Sequence, residues 1–470
     1  MINTVPDIYS EFISKLNLNN DSGKKLISFA VKIKKINLET LINLFINSER
    51  LFYWKQPSEN FEFLAVNSVE IITANGFERT TLTETKFKSF QPDFLSNHKD
   101  FPGVVFPLFT GGLKFAPDQK EILWKDFEDS DWFIPEFLIF RKEDSFYLLF
   151  NSLAEKTDAV ENRKKISEFL LKIENLNGRS NEIPSTGITT SVSDENDLKA
   201  KSEWIKSINN ILSTIRQSEI KKVVLSRKVT LSLEGNISFS EIADILSRKY
   251  PGCFIFIYKS GESVFFGASP ERLAKFTNGW MESDALAGSI KRGKNQKEDR
   301  KLEEELLNSQ KNLAEQNAVV EFIANSFAHF SDEIIYPEKP VIRKLPNIQH
   351  LWTPVKARLN REKTMFRIIR EIHPTPAICG TPWMAALGKI KELETFERGL
   401  FAGVIGWFNF DCEAEFAVAI RSGLYKRNKV YAFAGCGIVE GSDPIVEYKE
   451  AQLKLRPVLS LFENEKISQS

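Results

Sequence analysis

The chain has 470 residues, room for one large domain or two unequal ones, and 42% apolar residues, the make-up of a soluble globular protein rather than a disordered one. Lys plus Arg (63) equals Asp plus Glu (63), so no net field draws the chain to nucleic acid or to an anionic membrane surface. Its four cysteines (Cys253, Cys379, Cys412, Cys436) show no C-x-x-C spacing, there is no basic-then-apolar leader, and no apolar run nears the roughly 18 residues that span a bilayer, which together predict a cytoplasmic protein without a disulfide framework or zinc site.

Residues 1–195 read as mixed helix and strand. Two amphipathic helical stretches precede Arg50, and strand-like runs follow at 61–74 (FEFLAVNSVEIITA) and 137–150 (FLIFRKEDSFYLLF), the second turning at Lys142–Asp144. Gly111-Gly112 reads as a turn between two strand-like pieces. Residues 174–199 are polar and rich in Ser, Thr and Asn, which predicts a linker and the main boundary of the chain.

Beyond it, Trp204, Ile208, Ile211, Leu212 and Ile215 fall at helical spacing in a helix ending near Ser218. KKVVLSRKVTL (221–231) is a β-branched strand whose period places Lys222 and Val224 on one face. Ser238 and Glu241 suit a capping box. Residues 253–276 predict a hairpin about Ser260-Gly261, its second strand leading into Ser269-Pro270-Glu271, and a further strand leads to LAGS (286–289). One long helix is expected from about Lys297 to Phe330, carrying Lys311, Glu315 and Gln316. A His350-bearing piece, a helix near 362–372 and a proline-rich loop at 373–382 come next. Strands at 401–410, 414–421 and 430–436 close the series. Hairpin-type connections predict antiparallel sheets flanked by helices, an α+β fold.

The last stretch, 435–454, reads as strand, glycine turn, Ser-Asp-Pro helix start and helix. Glu447 and Glu450 share one face of that helix, with Lys454 a turn beyond. Taken singly, these residues are ambiguous. A lysine in an apolar strand is a snorkelling edge residue or a buried base; Glu315 with Lys311 a turn earlier is a surface ion pair or a ligand; His350 among apolar neighbours is more often a hydrogen-bonded core histidine. No P-loop, G-x-G-x-x-G or Ser-His-Asp arrangement is present.

In order, KKVVLSR (221–227), FGASPERL (266–273), LAGS (286–289), NSQKNLAEQ (308–316), HPTPAICG (373–380), EFAVAIRSG (415–423) and GCGIVEGSDPIVEYKE (435–450) resemble the chorismate-utilising enzymes. The first 200 residues match more loosely, through GGLKFAP (111–117) and Trp-Phe-Ile-Pro (132–135), which are similar to the menaquinone-type isochorismate synthases. The resemblance implies a single large α+β unit with its site in a deep cleft, residues 200–462 forming the chorismate-binding catalytic region and residues 1–195 a variable region contributing to the same fold. It implies Lys222 as the water-activating base, Glu271 as the general acid, and Glu315 and Glu450 as Mg²⁺ ligands with Glu447 lining the metal site. Ala287, Gly288, Ser289, His350, Ala377, Ile378, Phe401, Arg421, Gly435, Gly437 and Lys454 match positions around the substrate. Gln316 departs from the pattern, since many relatives have histidine there.

These assignments make chemical sense together. Mg²⁺ is typically held by one or two carboxylates, water and an anionic substrate. Water addition with loss of a hydroxyl needs one base and one acid, so a lysine (ordinarily ~10.4) must be lowered to about 7–8 and a glutamate must be kept protonated. Within the family, Lys222 argues for water rather than ammonia as nucleophile, and hence against an amidotransferase subunit. Ala287 stands where aminodeoxychorismate synthases carry a nucleophilic lysine, and Ala377 where salicylate synthases usually have threonine. The expectation is isochorismate synthase, with salicylate synthase or a non-catalytic chorismate-binding regulator as alternatives.

Overall fold

The computed structural model describes residues 4–16, 25–117, 121–154, 159–177, 187–192, 197–360 and 365–463. Among these residues, 13 strands form one sheet and 10 form a second. Every pairing is antiparallel except that of Leu26–Ile33 with Phe94–Ser96, and helices flank the sheets, so the class is α+β. No helix among the described residues is long and apolar enough to cross a membrane.

The core follows from period-two alternation in strands that are buried on both faces. In Arg50–Gln56, Phe52 and Trp54 join Trp132, Phe408 and Phe416 in the cluster between the sheets. Leu51 and Tyr53 join Leu41, Ile42 and Phe239 beneath the helices Leu38–Phe45 and Phe239–Lys249. Such strands read as continuous apolar runs because neither face meets water. Both sheets interleave residues from either side of 174–199: Arg50–Gln56 pairs with Phe254–Ser260, and Phe109–Leu113 with Val404–Phe408.

Several expectations change in the folded chain. The 61–74 run divides into Phe61–Val66 in the first sheet and Glu70–Ala74 in the second, since Asn67 takes a left-handed conformation between them. Gly111 and Gly112 do not form a turn but lie inside the strand Phe109–Leu113. A Cβ at Gly111 would stand 2.1 Å from the Asp131 carbonyl oxygen, so close backbone approach, not turning, explains the glycines. Of the expected linker, 174–177 complete the helix Ala159–Asn177, Gly187–Val192 is a strand on Lys222–Asn236, and 197–199 open the helix Asp197–Gln217. The rest of it lies outside the described residues, as do positions 362–364 of the helix that is seen as Met365–Ile372. The strands Leu26–Ile33 and Ser422–Lys426 and the helix Trp383–Leu393 were not foreseen.

The expected long helix is two helices, Gln296–Asn308 and Gln310–Ala328. Ser309 between them is extended, and its hydroxyl accepts from Asn312 N–H at 3.4 Å, so a serine that competes with the helix backbone ends one helix and caps the next. Lys311 and Glu315 thereby fall in the first turns of a new helix.

One buried ion pair ties the two sheets. Arg50, on the first, is hydrogen-bonded to Asp131, on the second, and to the Tyr258 hydroxyl at 3.0 Å. Asp131→Ala leaves a buried guanidinium uncompensated and is expected to cost roughly 3–5 kcal/mol in chemical denaturation. A loss below about 1 kcal/mol, the worth of an exposed pair, would contradict this account of the join.

Candidate active site

The site forms where the chain twice crosses between the sheets. Ser269-Pro270-Glu271 carries it from Ser263–Ser269 in the first sheet to Arg272–Thr277 in the second. Residues 419–421 carry it back, from Ala414–Val418 to Ser422–Lys426. The two crossings run side by side, with Val418 N–H donating to the Glu271 carbonyl at 3.1 Å and Ala268 N–H to the Arg421 carbonyl at 3.2 Å. Arg421 therefore does not end a strand as expected but stands in the left-handed region (φ 52°) at the crossing, its side chain buried.

Fifteen of the sixteen residues singled out in the sequence line one cavity here: Glu271, Ala287, Gly288, Ser289, Glu315, His350, Ala377, Ile378, Phe401, Arg421, Gly435, Gly437, Glu447, Glu450 and Lys454. The sixteenth, Lys222, lies just behind this wall, and its ammonium donates to Glu315 Oε1 at 2.6 Å. The strand Lys222–Asn236 pairs with Lys429–Val439 so that Val224 opposes Gly437. A Cβ at Gly437 would lie 2.5 Å from Lys222 Cε and 3.2 Å from Glu315 Oε1, so the glycine makes the space in which that pair meets.

Three lysines face three carboxylates. Besides Lys222 and Glu315, Lys311 lies 3.3 Å from Glu447 and Lys454 lies 2.7 Å from Glu450. Glu315 and Lys311 thus do not pair with each other, as their spacing in the sequence suggested. Burial works against the Glu315 charge, but Lys222, with help from Lys454 and Lys311, holds its carboxyl below the usual range. Burial likewise opposes the Lys454 charge, yet Glu450 leaves its pKa raised. For Glu447 the balance tips the other way, and burial together with the Glu450 charge raises it despite Lys311.

Glu271 is buried, and burial first, then the charge of Asp284, pushes its carboxyl up to about 8 against Lys222, Lys454 and Arg343. At neutral pH it holds a proton. Beside it, Arg421 Nη2 stands 3.1 Å from His350 Nε2, and His350 Nδ1 stands 2.9 Å from Ser289 Oγ. Arginine has no acceptor, so Nε2 accepts; the imidazole proton sits on Nδ1, and the Ser289 hydroxyl accepts it and keeps its own hydrogen to donate. Burial and the Arg421 charge hold His350 well below its ordinary pKa, which keeps this neutral tautomer.

Gln316 is wholly buried and its amide is fully engaged. It accepts from Ala287 N–H at 2.9 Å and donates to the Ala285 carbonyl and the Thr353 hydroxyl, each at 3.0 Å. It thus fixes the strand Trp280–Lys291, which bulges at Gly288. Arg398, Asn312 and Ser226 also line the cavity and were missed in the sequence, where no pattern separates them from ordinary loop, helix and strand positions.

The carboxylates suit a hard divalent cation. Glu315, Glu447 and Glu450 are oxygen donors lining one cavity, the donor type that Mg²⁺ takes. Among the described residues no three His, Cys, Asp or Glu side chains stand together as a ready-made metal cluster.

Residues 11–463 match the family of chorismate binding enzymes, and the chain belongs to that family. It is 32% identical to isochorismate synthase MenF of Bacillus subtilis over 452 residues, 94% of each chain. It is 31% identical to the salicylate biosynthesis isochorismate synthase of Pseudomonas aeruginosa over 86% of this chain and 83% of that one. The fold is similar to that of MenF, the menaquinone-specific isochorismate synthase of Escherichia coli, with a TM-score of 0.78 and 21% identity over 98% of this chain and 100% of the other.

The protonated state of Glu271 can be read without turnover. In protein labelled at glutamate carboxyls, with Glu271→Gln to assign the signal, ¹³C NMR should show Glu271 titrating at about 8. Asp284→Asn removes the like charge and should move that midpoint to lower pH; an ordinary carboxylate midpoint in the wild type would refute the assignment.

Proposed function

We propose that this chain is a Mg²⁺-dependent isochorismate synthase, converting chorismate to isochorismate in the cytoplasm without an amidotransferase subunit, a nucleic-acid partner or a membrane. The observation that carries the reading is one cavity lined by the buried, protonated Glu271 carboxyl and by Glu315, with Lys222 bonded to Glu315 just behind the wall, in a chain whose full-length relatives are named isochorismate synthases. Residues 200–462 would supply the chemistry, and residues 1–195 the strands that complete both sheets.

In this reading Arg421, Lys454 and the Ser289 hydroxyl orient the two carboxylates of chorismate, and the glycines at 435 and 437 let the substrate approach the strand backbone. In the resting pair the Lys222 ammonium donates to Glu315, so it must first give up that proton; the neutral amine then takes a proton from the water that adds at C2. The ring double bonds shift, the C4–O bond breaks, and Glu271 gives its proton to the departing hydroxyl. One water enters and one leaves, so the product is an isomer and the reaction is reversible. Glu315 and Glu450, with Glu447 beside them, would hold Mg²⁺, which when bound polarises a substrate carboxylate and neutralises part of the local negative charge. Glu315 also keeps the Lys222 nitrogen in place.

The product is set by the apolar wall. Ala377 brings no hydroxyl to the cavity, and Ile378 and Phe401 fill space there, which supports holding the ring for hydration rather than for expulsion of the enolpyruvyl group.

Lys222→Ala and Glu271→Gln are each expected to lower kcat by roughly 10²–10⁴-fold, the worth of a positioned proton-transfer group. EDTA should abolish turnover and Mg²⁺ restore it, with Glu315→Gln and Glu450→Gln crippled at any Mg²⁺ level. Full activity in metal-free buffer, or a Lys222→Ala enzyme near wild type, would refute these roles. Fluorescence should show isochorismate accumulating with little salicylate; salicylate rising in step with chorismate loss would make the chain a salicylate synthase instead.

A further inference from the structure

We propose that Arg398, clamped by Glu394, is a positioning residue for this reaction: it fixes the distance between the strand that carries Lys222 and the loop that carries Ala377 and Ile378. This inference rests on the reading of those two walls given above.

Arg398 and Glu394 lie four residues apart, beyond the end of the helix Trp383–Leu393, and both side chains are only 2% exposed. Arg398 Nε donates to Glu394 Oε2 at 2.9 Å and Nη2 donates to Glu394 Oε1 at 2.5 Å. The remaining bonds reach the cavity walls. Nη2 donates to the Val224 carbonyl at 2.7 Å and Nη1 to the Ile378 carbonyl at 2.8 Å, while Glu394 Oε1 accepts from Ser226 N–H at 2.7 Å. Val224, Ser226 and Ile378 all line the cavity, and Val224 is two residues from Lys222 on the same strand face. The guanidinium plane lies 4.4 Å over the Phe115 ring, which seals its far side.

A buried ion pair is a weak device for stability, because desolvation offsets much of its attraction. An apolar pair of similar volume would fill the space. It would not supply rigid planar donors to two carbonyls on separate elements while a carboxylate holds an amide between them. The fork therefore sets a geometry, joining base-bearing strand and ring-facing loop through one side chain. The loop's far end is also held on that strand by backbone bonds, Gly380 and Thr381 pairing with Val223 and Lys222 and Val224 N–H donating to the Cys379 carbonyl at 2.8 Å, while at its near end His373 Nε2 lies 3.0 Å from the Ala402 carbonyl. Between those ends, Arg398 is the side chain that bonds to Ile378 among the described contacts.

The test uses the full chain with chorismate and Mg²⁺. In folded Arg398→Met, kcat should fall by about 10²-fold, the cost of misplacing reacting groups by about 1 Å, with KM changed far less. Arg398→Ala should regain at least tenfold in rate on addition of millimolar guanidinium, which has no such effect on the wild type. A purely structural arginine would lower Tm but leave kcat, KM and guanidinium response of the folded enzyme unchanged. That result, or a rise in KM with kcat intact, overturns the proposal. Should both variants fail to fold, Glu394→Gln, which keeps the shape, must show the fall in kcat at near wild-type Tm, and an unchanged kcat again overturns it. If the wild type does not convert chorismate at all, the proposed function fails rather than this inference.

Discussion

The Lys222 ammonium and the Glu315 carboxylate meet 2.6 Å apart in the protein interior, and much of the surrounding chain is arranged to let them. Lys222 sits on a strand of the first sheet opposite Val439, and Gly437, two residues along the partner strand, leaves open the space that the lysine's end occupies. Glu315 reaches the same point only because Ser309 ends one helix and starts another. Gln316, the next residue, anchors that new helix to the Trp280–Lys291 strand through two hydrogen bonds and to Thr353 on the adjacent strand through a third. Helix, strand and glycine are each ordinary alone; their common effect is to bring opposite charges together away from water.

Charge balance then shapes the cavity. A carboxylate buried without a partner costs several kcal/mol, so Glu315, Glu447 and Glu450 each have a lysine, while Glu271 has no direct cation contact among the described bonds and is kept neutral by burial and Asp284. The same low-dielectric interior therefore yields two different carboxyl states. Glu315, Glu447 and Glu450 each touch a lysine, and the protonated Glu271 sits at a crossing between the sheets without such a contact among the described bonds. That division is what an addition of water with loss of hydroxide demands.

Much of this was legible in the sequence because the relevant residues lie in short, ordered motifs: the α+β class, the strand at 222 and the Ser-Asp-Pro helix start at 442–444 all follow from local pattern. What was not legible depends on distant partners. Glu315 and Lys311, four apart on one helix, suggest a pair, yet each finds its partner on another element. Gly111 and Gly112 look like a turn until strands on both sides crowd their backbone. Arg421 looks like a strand end, although its left-handed backbone belongs to a chain crossing that no periodicity announces. Arg398 sits in an unremarkable helix-end sequence, and only its carbonyl acceptors reveal it.

The central claim is that water, activated at the Lys222 wall, adds to chorismate while the original hydroxyl leaves at the Glu271 wall. Turnover in ¹⁸O-labelled water, stopped early and read by mass spectrometry, tests it most directly. The account predicts isochorismate carrying one ¹⁸O in its ring hydroxyl from the first turnovers. Isochorismate formed without label would mean that the substrate's own hydroxyl migrates, and would contradict the division of labour between the two walls.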